Sequence, residues 1–198
     1  MDEPTGLRAR KKARTREAIG DVALALFLEH GFDHVSVNDI AAAAEVSKPT
    51  LFRYFPTKED LVLDRFADHQ GEAARVVRER GPGTGAVPAL RRHFLAGLDR
   101  HEPVTGLCDE PGVVAFHRLV FTTPGLAGRL TRYQMDDEEA LAAALGEGIG
   151  ARLRAAQVLA VQRVLARANW QKIAGGRTAD DVHPEAVADA VLAFGHLR

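Results

Sequence analysis

Apolar positions along the chain recur with a helical rather than an alternating period. Between Thr15 and His30 they fall at Ile19, Val22, Ala23, Leu26 and Phe27, the stripe of an amphipathic helix. Gly31 follows where a left-handed residue ends a helix, with apolar Phe32 behind it. Ser36 opens a second helix and has Asp39 three residues on, a capping-box pattern; Ile40, Ala41 and Ala44 share one face until the helix stops near Glu45. Val46 leads to Ser47, another N-cap, and Pro49 falls in the first turn, where its missing N–H costs little. Leu51 and Phe55 lie one turn apart and Pro56 ends that helix. Thr57 caps the next with Asp60, and the pattern runs on through Leu61, Val62 and Phe66.

Further helices are predicted over 57–80, 87–101, 111–121, 124–146, 151–174 and 184–197. Gly81-Pro82-Gly83-Thr84-Gly85, Glu102-Pro103, Thr123-Pro124-Gly125, Gly146-Glu147-Gly148 and Gly175-Gly176 punctuate them. No alternating strand emerges, so the expected class is all-α. The helix from residue 57 to 80 is expected to join the two halves of the chain without a flexible linker.

Composition narrows the class. With 198 residues, 46% of them hydrophobic, the chain has material for one or two folded domains and is not disordered over most of its length. No stretch approaches 18 uncharged apolar residues, so no membrane span is expected. The start, MDEPTGLRARKKARTR, lacks the apolar core of a secretory signal, and a single cysteine, Cys108, forms no internal disulfide. A reduced, cytoplasmic location is the expectation. The net charge of −1 hides an uneven distribution: Arg8, Arg10, Lys11, Lys12, Arg14 and Arg16 lie close together with no acid among them. Such a basic arm can supply phosphate contacts on a nearly neutral protein; the plainer alternative is a frayed, solvated terminus.

Two short helices separated by two or three residues form a helix-turn-helix pattern. Small Ala41 and Ala44 suit the helix crossing, Val46 suits the turn, and Ser47, Lys48 and Thr50 remain outside at the start of the second helix. From Glu29-His30-Gly31-Phe32 through Val35-Ser36-Val37-Asn38-Asp39-Ile40-Ala41 and Ala44-Glu45-Val46-Ser47-Lys48-Pro49-Thr50-Leu51-Phe52-Arg53-Tyr54-Phe55-Pro56-Thr57-Lys58-Glu59-Asp60-Leu61, the sequence resembles the N-terminal domain of the TetR family of transcriptional regulators. The resemblance covers about residues 13–62, a quarter of the chain. Two positions depart from the family pattern: Glu45 stands where glycine is usual, and Phe52 where tyrosine is frequent.

The resemblance implies a basic arm at 1–13, a three-helix DNA-binding domain at 14–60 and a helical ligand-binding and dimerisation domain at 61–198. It implies that Lys48, Pro49 and Thr50 approach bases or a thymine methyl, while Tyr54 and Lys58 hold phosphates. Ser36 and Ser47 would add hydroxyls to the DNA backbone, with pure capping as the alternative, and Arg14 and Arg16 would grip phosphate from the arm. Tyr54 has a second reading as packing against the first helix.

In the remainder, bulky or polar residues within apolar helices are the candidates for a small-molecule pocket: Phe94, Leu98, Phe116, His117, Val120, Phe121, Tyr133, Asn169, Trp170 and Ile173. Ordinary core packing is the alternative for each. Surplus apolar positions on the last two helices, Leu159, Val164, Val187, Val191 and Phe194, suit a four-helix interface between two copies. No zinc-protease, serine-hydrolase or P-loop motif occurs, and His93 and His101 lie two turns apart, too far for one metal without further ligands. Asp109 and Glu110 would raise the thiol pKa of Cys108 and disfavour redox sensing.

The expectation is therefore a non-enzymatic, cofactor-free and metal-free homodimer that binds double-stranded DNA. It would act as a repressor released from a pseudo-palindromic operator by a hydrophobic small molecule. An activator, a partner-controlled regulator, and a helical enzyme or sequestering protein with an accessory DNA-binding domain are the alternatives.

Overall fold

The computed structural model describes residues 3–67 and 69–197. Met1 and Asp2 of the arm expected at 1–13, and Asp68 and Arg198 of the expected C-terminal domain, lie outside the described residues. Among those described, the protein is all-helical: α1 (Glu3–His30), α2 (Val37–Ala43), α3 (Lys48–Tyr54), α4 (Asp60–Ala67), α5 (Glu72–Glu79), α6 (Ala86–Asp99), α7 (Pro111–Thr122), α8 (Pro124–Leu145), α9 (Ile149–Ala174) and α10 (Ala179–Gly195), with one 3-10 turn at Pro103–Thr105. The chain forms two compact units, one of residues 1–68 and 119–129, the other of 69–118 and 130–198.

The first unit is built on the stripe of α1. Ile19, Ala23 and Phe27 are buried, as are Ile40 and Ala41 of α2, Leu51 and Tyr54 of α3, and Leu61, Val62 and Leu63 of α4. Gly31 closes α1 by donating to the Phe27 carbonyl (2.9 Å), and the Phe32 ring then settles 5.0 Å from that of Phe27. The arm is not a separate segment, because α1 begins at Glu3 and carries the basic cluster as a continuous helix. Nothing in Arg8–Arg16 breaks a helix, and long basic side chains have good helical propensity.

The expected helix over 57–80 is two helices. Gly71 sits between them at φ +72, outside the right-handed region, and its N–H goes to Asp137 (2.7 Å) of α8. A tertiary acceptor thus replaces the fourth-residue carbonyl a continuing helix would use. In the second unit, Val77, Leu90, Phe94, Leu98, Leu107, Leu141, Ala155, Val158, Leu165, Ile173, Val182 and Phe194 make one core. The last helix starts at Ala179 rather than 184: Thr178 caps it by accepting from the Asp181 N–H (3.1 Å), and Pro184 falls inside.

Gly106, at φ +73, allows the 3-10 turn to meet α9. A Cβ there would stand 1.9 Å from the Ala166 carbonyl oxygen, so only glycine fits. Beside it the Asn169 amide donates to the Thr105 carbonyl (3.0 Å), which ties the turn to α9.

Candidate nucleic-acid interface

The turn between α2 and α3 is a helix C-terminus closed by crossed hydrogen bonds. Ala44 N–H donates to Ile40, Glu45 N–H to Ala42 and Val46 N–H to Ala41, at 2.9, 3.1 and 2.9 Å. Glu45 takes the left-handed position at φ +54, the conformation the family pattern assigns to glycine. Ser36 and Asp39 make the reciprocal capping box, and the Ser36 hydroxyl and backbone N–H together hold the Asp39 carboxyl below its usual range. Ser47 caps α3 by accepting from the Thr50 N–H (3.2 Å), and its hydroxyl pairs with that of Thr50 (2.8 Å).

These caps set which side of α3 faces outward. Leu51, Tyr54 and Phe55 are buried, Thr50 is half-buried, and Ser47, Lys48, Pro49, Phe52 and Arg53 are exposed. Of the residues expected at DNA, Ser36, Ser47, Lys48, Pro49 and Arg14 lie at the surface. Tyr54 turns its ring into the core, with the Arg53 guanidinium 5.5 Å from the ring centre.

Two expected phosphate contacts are otherwise engaged. Arg16 pairs with Asp64, donates to the Tyr54 carbonyl (2.7 Å) and lies over the Phe55 ring (4.7 Å). Lys58 is half-buried rather than exposed: Nζ donates to the Phe32 carbonyl and lies 4.4 Å from the Phe32 ring centre and 5.6 Å from that of Phe27. Both cations brace α1 against the chain beyond α3, a tertiary role with no signature in local spacing. Asp60 is braced in the same way: its carboxylate accepts from the Thr57 N–H (3.1 Å) and from Arg129 (2.9–3.0 Å).

The pocket candidates are divided between the two units. Val120 and Phe121 belong to the first unit, and the other eight to the second. Phe94, Leu98 and Ile173 are part of the second unit's core, and Phe116 and Trp170 are also buried, while Tyr133 is half-buried. Asn169 spends its amide on Thr105. His117 is buried, and burial lowers its pKa to about 4, so it is neutral near pH 7. Burial also pushes the Cys108 thiol up, with Glu110 and Asp109 adding to the rise.

Among the interface candidates, Val164 (63%) and Val191 (46%) are exposed, whereas Leu159 and Val187 are half-buried against their own core. Phe194 is a correction. It is 2% exposed, with its ring 5.9 Å from Phe94, and the monomer core consumes it. Ile149, Leu153 and Leu192 are exposed apolar residues on α9 and α10 that were not among the expected interface positions. Among the described residues, no helix is long and apolar enough to cross a membrane.

Residues 19–64 match the model of bacterial regulatory proteins of the tetR family. The chain is 35% identical over 142 residues to the HTH-type transcriptional regulator TcmR of Streptomyces glaucescens, covering 69% of this chain and 61% of that protein. It is 37% identical over 106 residues to the HTH-type transcriptional repressor LfrR of Mycolicibacterium smegmatis, covering 52% and 54%. The matched stretches thus span between half and two-thirds of those relatives' lengths. The SmeT–triclosan complex shares the fold, with a TM-score of 0.55 at 17% identity over 92% of this chain and 88% of that one.

Proposed function

We propose that this chain, which resembles the tetR family of bacterial regulatory proteins over residues 19–64, is a homodimeric, sequence-specific DNA-binding repressor released by a hydrophobic small molecule. The observation that carries this assignment is the outer face of α3. Lys48 and Pro49 stand exposed at its start while Leu51 and Phe55 are fully buried, so the helix is fixed from behind and free in front. A helix held this way is what major-groove reading requires. Arg14 and the other exposed cations of α1 supply phosphate contacts, and residues 61–198 carry effector binding and dimerisation. A partner of this kind sets its place of action in the cytoplasm.

Exposed Ile149, Leu153 and Val164 on α9 with Val191 and Leu192 on α10 form the surface we assign to the second copy. Val164→Asp combined with Leu192→Asp is expected to give a monomer by analytical ultracentrifugation and to weaken operator binding; an unchanged dimer would place the interface elsewhere. Effector release follows from differential affinity alone: about 1–3 kcal/mol of coupling weakens DNA binding roughly 5–150-fold.

The test is selection of bound duplexes from a random library at near-physiological salt. An enriched inverted repeat is the expected result. Binding without enrichment would reduce the basic helix to a nonspecific phosphate contact and overturn the assignment. Titration of triclosan into the selected complex then probes the effector site directly, and a raised Kd with the dimer intact is the expected response.

A further inference from the structure

Around the axis of α3, at about 100° per residue, Lys48, Phe52, Pro49 and Arg53 follow one another on a single outward arc. All four are exposed, Phe52 to 39%, while Leu51 and Tyr54 on the opposite side are buried. The arc has an order: a cation at each edge and two apolar side chains between them. Neither Pro49 nor Phe52 carries a side-chain donor or acceptor, so this central strip can make no hydrogen bond to a base edge.

The floor of the major groove is almost entirely donors and acceptors. Its one bulky apolar feature on an unmodified base pair is the C5 methyl group of thymine, where cytosine offers only a C5 hydrogen. The two flanking cations match the phosphates that border the groove, and the methyl is the group on the floor that best fills an apolar strip between them. A tyrosine at position 52 would carry a hydroxyl outward; phenylalanine presents only a ring edge. We propose that Phe52 is a specificity-determining residue that reads a thymine in each half-site through its methyl group. This rests on the DNA-binding role proposed above and adds to it a named base and a named contact.

The test uses the full chain and the duplex selected from the random library. Each thymine is replaced singly by 2′-deoxyuridine, which keeps every hydrogen-bonding group and removes only the methyl. One position in each half-site is expected to weaken binding about fourfold, and both together about fifteenfold. Phe52→Ala is then expected to bind the thymine and uracil duplexes with equal Kd at that position. The side chain is outside the core, so a melting curve close to that of the parent should accompany the variant, and the uracil scan on the parent protein needs no variant at all. A scan in which no thymine is sensitive overturns the proposal, as does a Phe52→Ala protein that keeps the preference. Failure to enrich any duplex is a separate result: it removes the DNA-binding assignment and this proposal with it.

Discussion

Glu45 shows how a single residue can hold a turn at a cost. The crossed hydrogen bonds at the end of α2 require a left-handed residue at this position, and Glu45 occupies it at φ +54. An L-residue with a side chain pays roughly 1 kcal/mol there. Glu45→Gly is therefore expected to raise stability by about 0.5–1 kcal/mol, read as a shift in the urea midpoint; a lower midpoint would mean that the Glu45 side chain makes a compensating contact. Lys58 and Lys48 make a second contrast. Lys58 is committed to the Phe32 carbonyl and the Phe27 and Phe32 rings, so Lys58→Ala should cost about 1 kcal/mol of stability and leave the salt dependence of DNA binding unchanged. Lys48 is exposed, and Lys48→Ala should flatten the slope of log K against log salt by about 0.9 while leaving the melting temperature in place.

Between elements, close backbone approach does what side-chain pattern does not announce. The 3-10 turn reaches α9 because Gly106 has no Cβ and because Asn169 satisfies the Thr105 carbonyl. Gly106→Ala puts a methyl into the Ala166 carbonyl at a left-handed φ, and neither backbone can yield cheaply. The expected loss exceeds about 3 kcal/mol, with a broadened or absent unfolding transition by circular dichroism. A variant that melts like the parent would show that the turn can reseat itself. Arg16 performs the corresponding task in the first unit. It joins α1 to Asp64 of α4 and to the end of α3, and so ties these three helices together.

For the whole molecule, the buried His117 couples folding to proton release. Its folded pKa of about 4 lies below the ordinary value of 6.5, so between these limits the unfolded chain binds the proton and the folded chain does not. Stability from this residue is fully present above about pH 6.5, falls as pH drops toward 4 and is constant below that, by up to about 3 kcal/mol. Urea midpoints measured at pH 7.5 and 5 should separate more in the parent than in His117→Gln. Equal separations would mean that His117 is charged in the folded state.

The caps of the first unit were legible in the sequence because each depends on residues within one turn. Ser36 with Asp39, Ser47 with Thr50, and Thr57 with Asp60 all form the expected hydrogen bonds. The buried stripe of α1 and the outward placement of Lys48 and Pro49 follow from the same short-range periodicity. That local chemistry carried the all-helical class and the helix-turn-helix. It carried nothing about partners far away in the chain. Arg16 meets Asp64 across 48 positions, Lys58 meets Phe32 across 26 and Asn169 meets Thr105 across 64, and each was drawn away from the contact its residue type suggested. Gly71 stands in a left-handed conformation just before α5, in a stretch that periodicity alone would keep helical, with its N–H on Asp137. Phe194 went to the monomer core because Phe94 lay opposite it. Periodicity states that a face is apolar, and packing chooses what covers it, since burial energy depends on area and not on which partner supplies it.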